Sequence, residues 1–214
     1  MNRIRRIREQ YERGEHAETY ANKRWTETRH ARKTHKWELQ AVQELLHVAE
    51  GHLEGPLQSI LDLPCGNGRF QPLLQGHASM LIQGDLAHSM LQRRLDSSLQ
   101  AMQASLLNIP LKDNAVNLSF CFRVLHHFPE PDVRQAIFAE LSRVSRHFAL
   151  VSYYDASAFP HLRDRIRRRK RTLTPVTHTT FDTEVASAGF RVIKRCFRRR
   201  WFSFQVLALL EKID

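Results

Sequence analysis

Cysteine is scarce in this 214-residue chain: Cys65, Cys121 and Cys196 only. An odd number at wide spacing supports neither a disulfide framework nor a CxxC-type zinc site. No run of about 18 uncharged apolar residues occurs, so no transmembrane helix is expected. The Arg-rich start has no apolar core behind it, which argues against a secretory leader and leaves a reducing cytoplasm as the expected compartment. No internal repeat or low-complexity linker is visible. Acidic residues are the minority, 22 Asp plus Glu against 33 Lys plus Arg, for a net charge of +11. With 42% hydrophobic residues the chain can bury a core, and wholesale disorder is excluded.

The basic charge is segmental. Residues 1–36 hold 11 basic and 5 acidic residues, net +6. Residues 37–160 hold 8 and 12, net −4, and residues 161–200 hold 13 and 3, net +10. Charge confined to segments suits a basic face aimed at one class of anionic partner; the plainer alternative is a set of solvated helix faces.

The first fifty residues read as helical, with Trp37, Leu39, Val42, Leu45, Leu46 and Ala49 on one face and an end near Gly51. The period then changes. Strands are expected over Leu57–Leu63, Ser79–Gln83, Gln100–Ala104, Val116–Phe122 and His147–Tyr153, with helices over Arg69–Gly76, Ala87–Leu95 and Asp132–Val144. Asp155–Thr180 reads as a long Arg-rich connection, and Thr183–Ala188 as a short helix before Gly189. Phe190–Phe197 and Phe202–Leu210 close the chain as antiparallel neighbours. The pattern is α/β: a doubly wound, Rossmann-like parallel sheet finished by an antiparallel hairpin.

Ligands of such sheets bind where strands run into turns at their carboxyl ends. The first such turn reads Leu61-Asp62-Leu63-Pro64-Cys65-Gly66-Asn67-Gly68. Its glycines permit a tight bend and let a ligand lie against the backbone. Asp85, at the end of the next strand, can accept both hydroxyls of a ribose. Gln71 stands where a dinucleotide motif needs its third glycine, and no Gly-Lys-Ser/Thr follows, so a nucleoside without phosphates is favoured.

These residues resemble class I S-adenosylmethionine-dependent methyltransferases. The glycine turn is similar to that family's first motif, with Pro64 in place of a glycine as in a bacterial small-molecule subgroup with a Leu-Pro-Cys-Gly loop. Gly84-Asp85-Leu86-Ala87-His88-Ser89-Met90-Leu91 resembles the second motif. Leu107-Asn108-Ile109-Pro110-Leu111, Val124-Leu125-His126-His127-Phe128 and Glu140-Leu141-Ser142-Arg143-Val144 resemble later ones. The resemblance implies a seven-stranded methyltransferase sheet over residues 55–214, with a basic insertion at 156–180 and a helical N-terminal lid over 1–54. It implies S-adenosyl-L-methionine as cofactor, with Asp62, Pro64, Cys65, Gly66 and Gly68 along the methionine and ribose, and Asp85 on the ribose hydroxyls. Leu86 and Met90 would lie against the adenine, and the backbone of Leu106 beside the ring. Ser105 stands where many relatives carry an Asp for the adenine amine, which implies a weaker bond.

The sulfonium methyl is already activated, so orientation of the nucleophile is the main task. His127 and His126 follow the fourth strand and are the candidate general base for a hydroxyl acceptor, against a packing role for both. Arg123 would take the methionine carboxylate or an acceptor anion. Tyr153 and Tyr154 end the fifth strand. By the same resemblance, Tyr20, Arg24 and Trp25 form a lid and Arg167 and Arg168 sit in the insertion capping the acceptor. The expected activity is O-methylation of a phosphorylated or carboxylated small molecule, sugar or lipid-linked acceptor. An RNA substrate, or a non-catalytic binding or scaffold protein on the same fold, are the alternatives, and peripheral membrane contact fits an anionic lipid acceptor.

Overall fold

The computed structural model describes residues 27–94, 96, 99–159, 174–198 and 204–213, together with Arg5, Glu9 and Glu12. Its seven strands form one sheet in the order β3-β2-β1-β4-β5-β7-β6. The chain divides into two compact units, residues 1–105 and 106–214.

The first unit opens with α1, Arg29–Leu53. Thr28 caps it, its hydroxyl accepting from the Ala31 N–H at 3.0 Å. Glu38, Ala41, Val42, Leu45, Leu46 and Ala49 are buried. Their three- and four-residue spacing makes one apolar stripe, interrupted by a single acid. The helix stops where Glu54 turns left-handed (φ 54°), so it runs past Gly51. It is followed by β1 (Leu57–Asp62), α2 (Gln71–Gln75), β2 (Ala78–Asp85), α3 (His88–Leu91) and β3 (Ala101–Gln103). The three strands pair in parallel. Both short helices fall inside the expected ranges but are shorter, because turns occupy residues 67–70 and 92–93.

The second unit holds β4 (Val116–Cys121), a 3₁₀ turn (Leu125–His127), α4 (Pro131–Val144), β5 (Ser145–Tyr154), α5 (His178–Ser187), β6 (Phe190–Phe197) and β7 (Gln205–Lys212). Pro131 starts α4, where its missing N–H costs nothing. Helix α5 begins five residues earlier than expected. Thr177 caps it through the Thr180 N–H at 3.1 Å, and Phe181 and Val185 turn inward. Strand β7 lies between β5 and β6 and is antiparallel to both, so β6 runs in the direction of β5. Three residues fewer at its start and two more at its end separate β7 from the expected strand.

Glu140 and Arg143, three apart on α4, explain one of the sequence motifs. Glu140 accepts the Ile109 N–H at 2.7 Å, while Arg143 donates to the carbonyls of Ile109 and Leu111 and to Asp113. The Leu107–Leu111 segment is thereby pinned to α4. Arg143 also donates to both Glu140 oxygens, at 2.7 and 2.8 Å, and these bonds hold the Glu140 carboxyl below the usual carboxylate range.

Candidate active site

In the first unit, β1 delivers the chain into the glycine turn. Gly66 (φ 57°) and Gly68 (φ 77°) both take left-handed backbone that a side chain would strain. The Cys65 N–H donates to the Gly84 carbonyl at 2.7 Å. Gly84 is needed for a different reason: a Cβ there would meet the Leu63 side chain at 2.9 Å.

Asp85 organises the turn. One carboxylate oxygen accepts the Gly66 N–H and the other the Ala87 N–H, each at 2.9 Å. Each oxygen keeps a further lone pair for an incoming hydroxyl. Burial pushes the Asp85 carboxyl up to about 6, against the backbone donors that favour its charge. Asp62 lies deeper, 2% exposed, and burial raises it to about 7; the Gln83 amide opposes that rise and the Asp85 charge adds to it. The same burial and the two neighbouring acids push the Cys65 thiol far up, so Cys65 is an inert lining group. Leu86 is half-buried, and Met90, on α3, is buried. Ser105 is half-buried at the end of this unit.

Arg69, directly after Gly68, was not singled out from sequence. Its guanidinium donates to Glu38 of α1 at 2.6 Å and lies over the Phe70 ring at 4.3 Å. Glu38 is fully buried. The only acid in the apolar stripe of α1 is thus the anchor of the glycine turn, and a charged residue at a core position was the available signal.

In the second unit, Arg123 follows β4 with φ 56°, left-handed for a residue with a Cβ. Its N–H donates to the Ser152 hydroxyl at 2.7 Å and its guanidinium to the Tyr154 hydroxyl at 3.4 Å. These neighbours hold the sparsely populated backbone of Arg123 in place. His126 and His127 separate in environment. His126 is buried and stacked on Tyr154, ring centroids 4.4 Å apart; His127 is half-exposed.

Tyr153 and Tyr154 are both buried. The Tyr153 hydroxyl takes the Arg195 Nε–H at 3.1 Å and lies 2.6 Å from His178 Nδ1. On the other side of the ring, His178 Nε2 lies 3.3 Å from an Asp155 carboxylate oxygen. Burial lifts the Tyr153 phenol to about 12, although Arg195 opposes it. The Tyr153 hydroxyl thus has both of these partners, Arg195 and His178, inside this unit.

A recess beside these residues is lined by His126, Tyr154, Thr174 and Val176 and floored by Arg134 and Glu184. Arg134 donates to Glu184 through Nε at 2.9 Å and also through Nη2, and to the carbonyls of Phe128 and Pro129. Both members are almost fully buried. Glu184→Ala would strand a buried guanidinium and is expected to cost about 3–5 kcal/mol. Urea unfolding measures it; a loss below 1 kcal/mol would mean that water reaches Arg134. Tyr20, Arg24, Trp25, Arg167 and Arg168 lie outside the described residues.

Residues 61–150 match a family model described as a methyltransferase domain. No curated protein sequence matches the chain. Among solved structures, the chain is similar to magnesium protoporphyrin IX methyltransferase from Synechocystis PCC 6803 with bound S-adenosylhomocysteine. That likeness has a TM-score of 0.77 at 15% identity and covers 98% of this chain and 99% of that one. A SAM-dependent methyltransferase from Thermotoga maritima gives a TM-score of 0.61 at 16% identity, over 83% and 89% of the two chains. One from Mesorhizobium loti gives 0.56 at 20%, over 74% and 92%. At such identities the likeness is one of fold.

Proposed function

We propose that this chain, which carries a methyltransferase domain of the class I, S-adenosylmethionine-dependent fold, methylates an oxygen of an anionic acceptor. The observation that carries the reading is Asp85: a buried carboxylate, fixed by two backbone N–H groups at the glycine turn, with lone pairs left for the two hydroxyls of a ribose. Gly66 and Gly68 leave room for the cofactor against the backbone, and Leu86 supplies an apolar surface for its base. Arg123 binds a carboxylate, on the cofactor or the acceptor.

The acceptor class rests on charge. Residues 161–200 carry net +10 and residues 1–36 net +6. A phosphorylated or carboxylated small molecule, sugar or lipid-linked compound is the acceptor class that charge suits. His127 is the general base in this reading, because it is half-exposed while His126 is spent on its stack with Tyr154. Removing a base of this kind lowers turnover by about 100-fold or more.

The test is transfer of a labelled methyl group from S-adenosylmethionine to a cell extract fractionated by anion exchange. Label is expected in an anionic small-molecule or lipid fraction. His127→Ala is expected to abolish most of it while leaving S-adenosylhomocysteine affinity unchanged. Label in RNA, together with RNA binding that falls steeply with salt, would replace this acceptor. Cofactor binding with no transfer to any fraction would leave a scaffold on the same fold.

A further inference from the structure

We infer that His47, Glu50 and His77 form a binding site for a divalent transition-metal ion. His47 and Glu50 sit three apart on α1, hence on one face. His77 ends the turn before β2, beside the start of β1. One ligand atom from each of the three lies within 4.8 Å of the others, and no other such trio of His, Cys, Asp or Glu occurs among the described residues.

Both histidines already meet the Glu50 carboxylate. His77 Nδ1 is 2.8 Å from one Glu50 oxygen, and His47 Nδ1 is 3.2 Å from the other. Ligands about 2.1 Å from a zinc ion stand roughly 3.0–3.4 Å apart, so the 3.2 Å edge already has that length and the 2.8 Å edge needs only a small opening. The two imidazole rings meet edge to face, centroids 4.9 Å apart, and converge on one carboxylate. His77 and Glu50 are largely covered while His47 is exposed, which gives the ion a fixed floor and an open side for water.

Two neutral imidazoles and one carboxylate suit zinc, cobalt, nickel or copper better than calcium or magnesium, which prefer oxygen. The site lies at the amino ends of β1 and β2, whereas the glycine turn and Asp85 lie at their carboxyl ends. Its role is therefore structural. The ion joins the last turns of α1 to the entry of β2. Twelve residues earlier, about 18 Å along the same helix, Glu38 fastens α1 to Arg69 beside the glycine turn. The helix is thus held near its middle and again in its last turns. This site stands independently of the methyltransferase reading.

The test is calorimetric titration of the chain, without a histidine tag, with zinc chloride, alongside the visible absorption of its cobalt complex. One ion per chain with a dissociation constant of about 10 µM or tighter is expected, together with a higher melting temperature at saturating zinc. His47→Ala, whose side chain is exposed and so leaves the core intact, is expected to weaken binding about tenfold or more. His47→Ala with His77→Ala is expected to abolish both the heat and the cobalt spectrum. Lowering the pH weakens binding as protons compete for the imidazoles. The chain has twelve histidines. Zinc affinity that is undiminished in the double variant would place the ion elsewhere and overturn the assignment. So would the absence of any binding at 100 µM zinc.

Discussion

Asp85→Asn is expected to weaken S-adenosylhomocysteine binding by about 100-fold or more and to lower the melting temperature by several degrees. Two effects combine. The carboxylate offers charge-assisted acceptance to two sugar hydroxyls, each bond worth about 1.5–3 kcal/mol, and an amide has only one accepting oxygen. The amide also cannot serve both the Gly66 and the Ala87 N–H, so one buried donor of the glycine turn is left unsatisfied. A fall of about 1–2 kcal/mol in stability corresponds to roughly 2–8 °C in a chain of this size. Circular dichroism establishes that the variant is folded, and calorimetry reads its affinity. The pH dependence separates the ribose role from the structural one. In the free protein the Asp85 carboxyl titrates at about 6. Hydroxyl donors favour its charged form, so affinity should fall about tenfold per pH unit below 6 in the wild type and stay flat in Asp85→Asn. A wild-type affinity that is flat between pH 5 and 7.5 would remove Asp85 from the sugar.

Asp62→Asn is expected to stabilise the cofactor-free protein at pH 8 while changing it little at pH 4. Burial raises the Asp62 carboxyl from 3.8 to about 7 in the folded state. The folded state therefore holds a proton that the unfolded chain has released. The stabilisation linked to this group is complete below about pH 4 and is lost as pH rises through 7. A three-unit shift corresponds to an upper bound of about 4 kcal/mol. The Asn side chain keeps the shape and carries no charge to bury. Urea unfolding of both proteins at pH 4, 6 and 8 gives the difference curve. Parallel curves at all three values would mean that Asp62 stays ionised, with water or a cation beside it.

The glycine turn was legible because it is local. An apolar strand, two glycines and an acid at the end of the next strand lie within residues 57–85, and each is demanded by backbone geometry rather than by distant packing. The doubly wound class and the antiparallel β6–β7 pair were legible too, from alternating elements and the short link before β7. What the sequence hid depends on separation. Arg134 and Glu184 are 50 residues apart, Arg69 and Glu38 are 31 apart, and His77 and Glu50 are 27 apart. No periodicity announces such pairs; only a charge at an apolar position hints at them, as with Glu38. The start of α5 was missed because the cap at Thr177, not hydrophobic spacing, sets it. Tyr153, expected with Tyr154 at the acceptor because both end a strand, is buried. Its neighbour Tyr154 is buried as well, so alternation along β5, covered on both faces, carried no information about which side is open.

The central claim is that the sugar of S-adenosylmethionine is held by Asp85 above the Gly66-Asn67-Gly68 bend. A crystal structure with S-adenosylhomocysteine tests it most directly. Both ribose hydroxyls are expected within about 3 Å of the Asp85 oxygens, with the Gly66 and Ala87 N–H bonds kept. A ligand bound elsewhere, or a ribose that turns away from Asp85, would contradict the account.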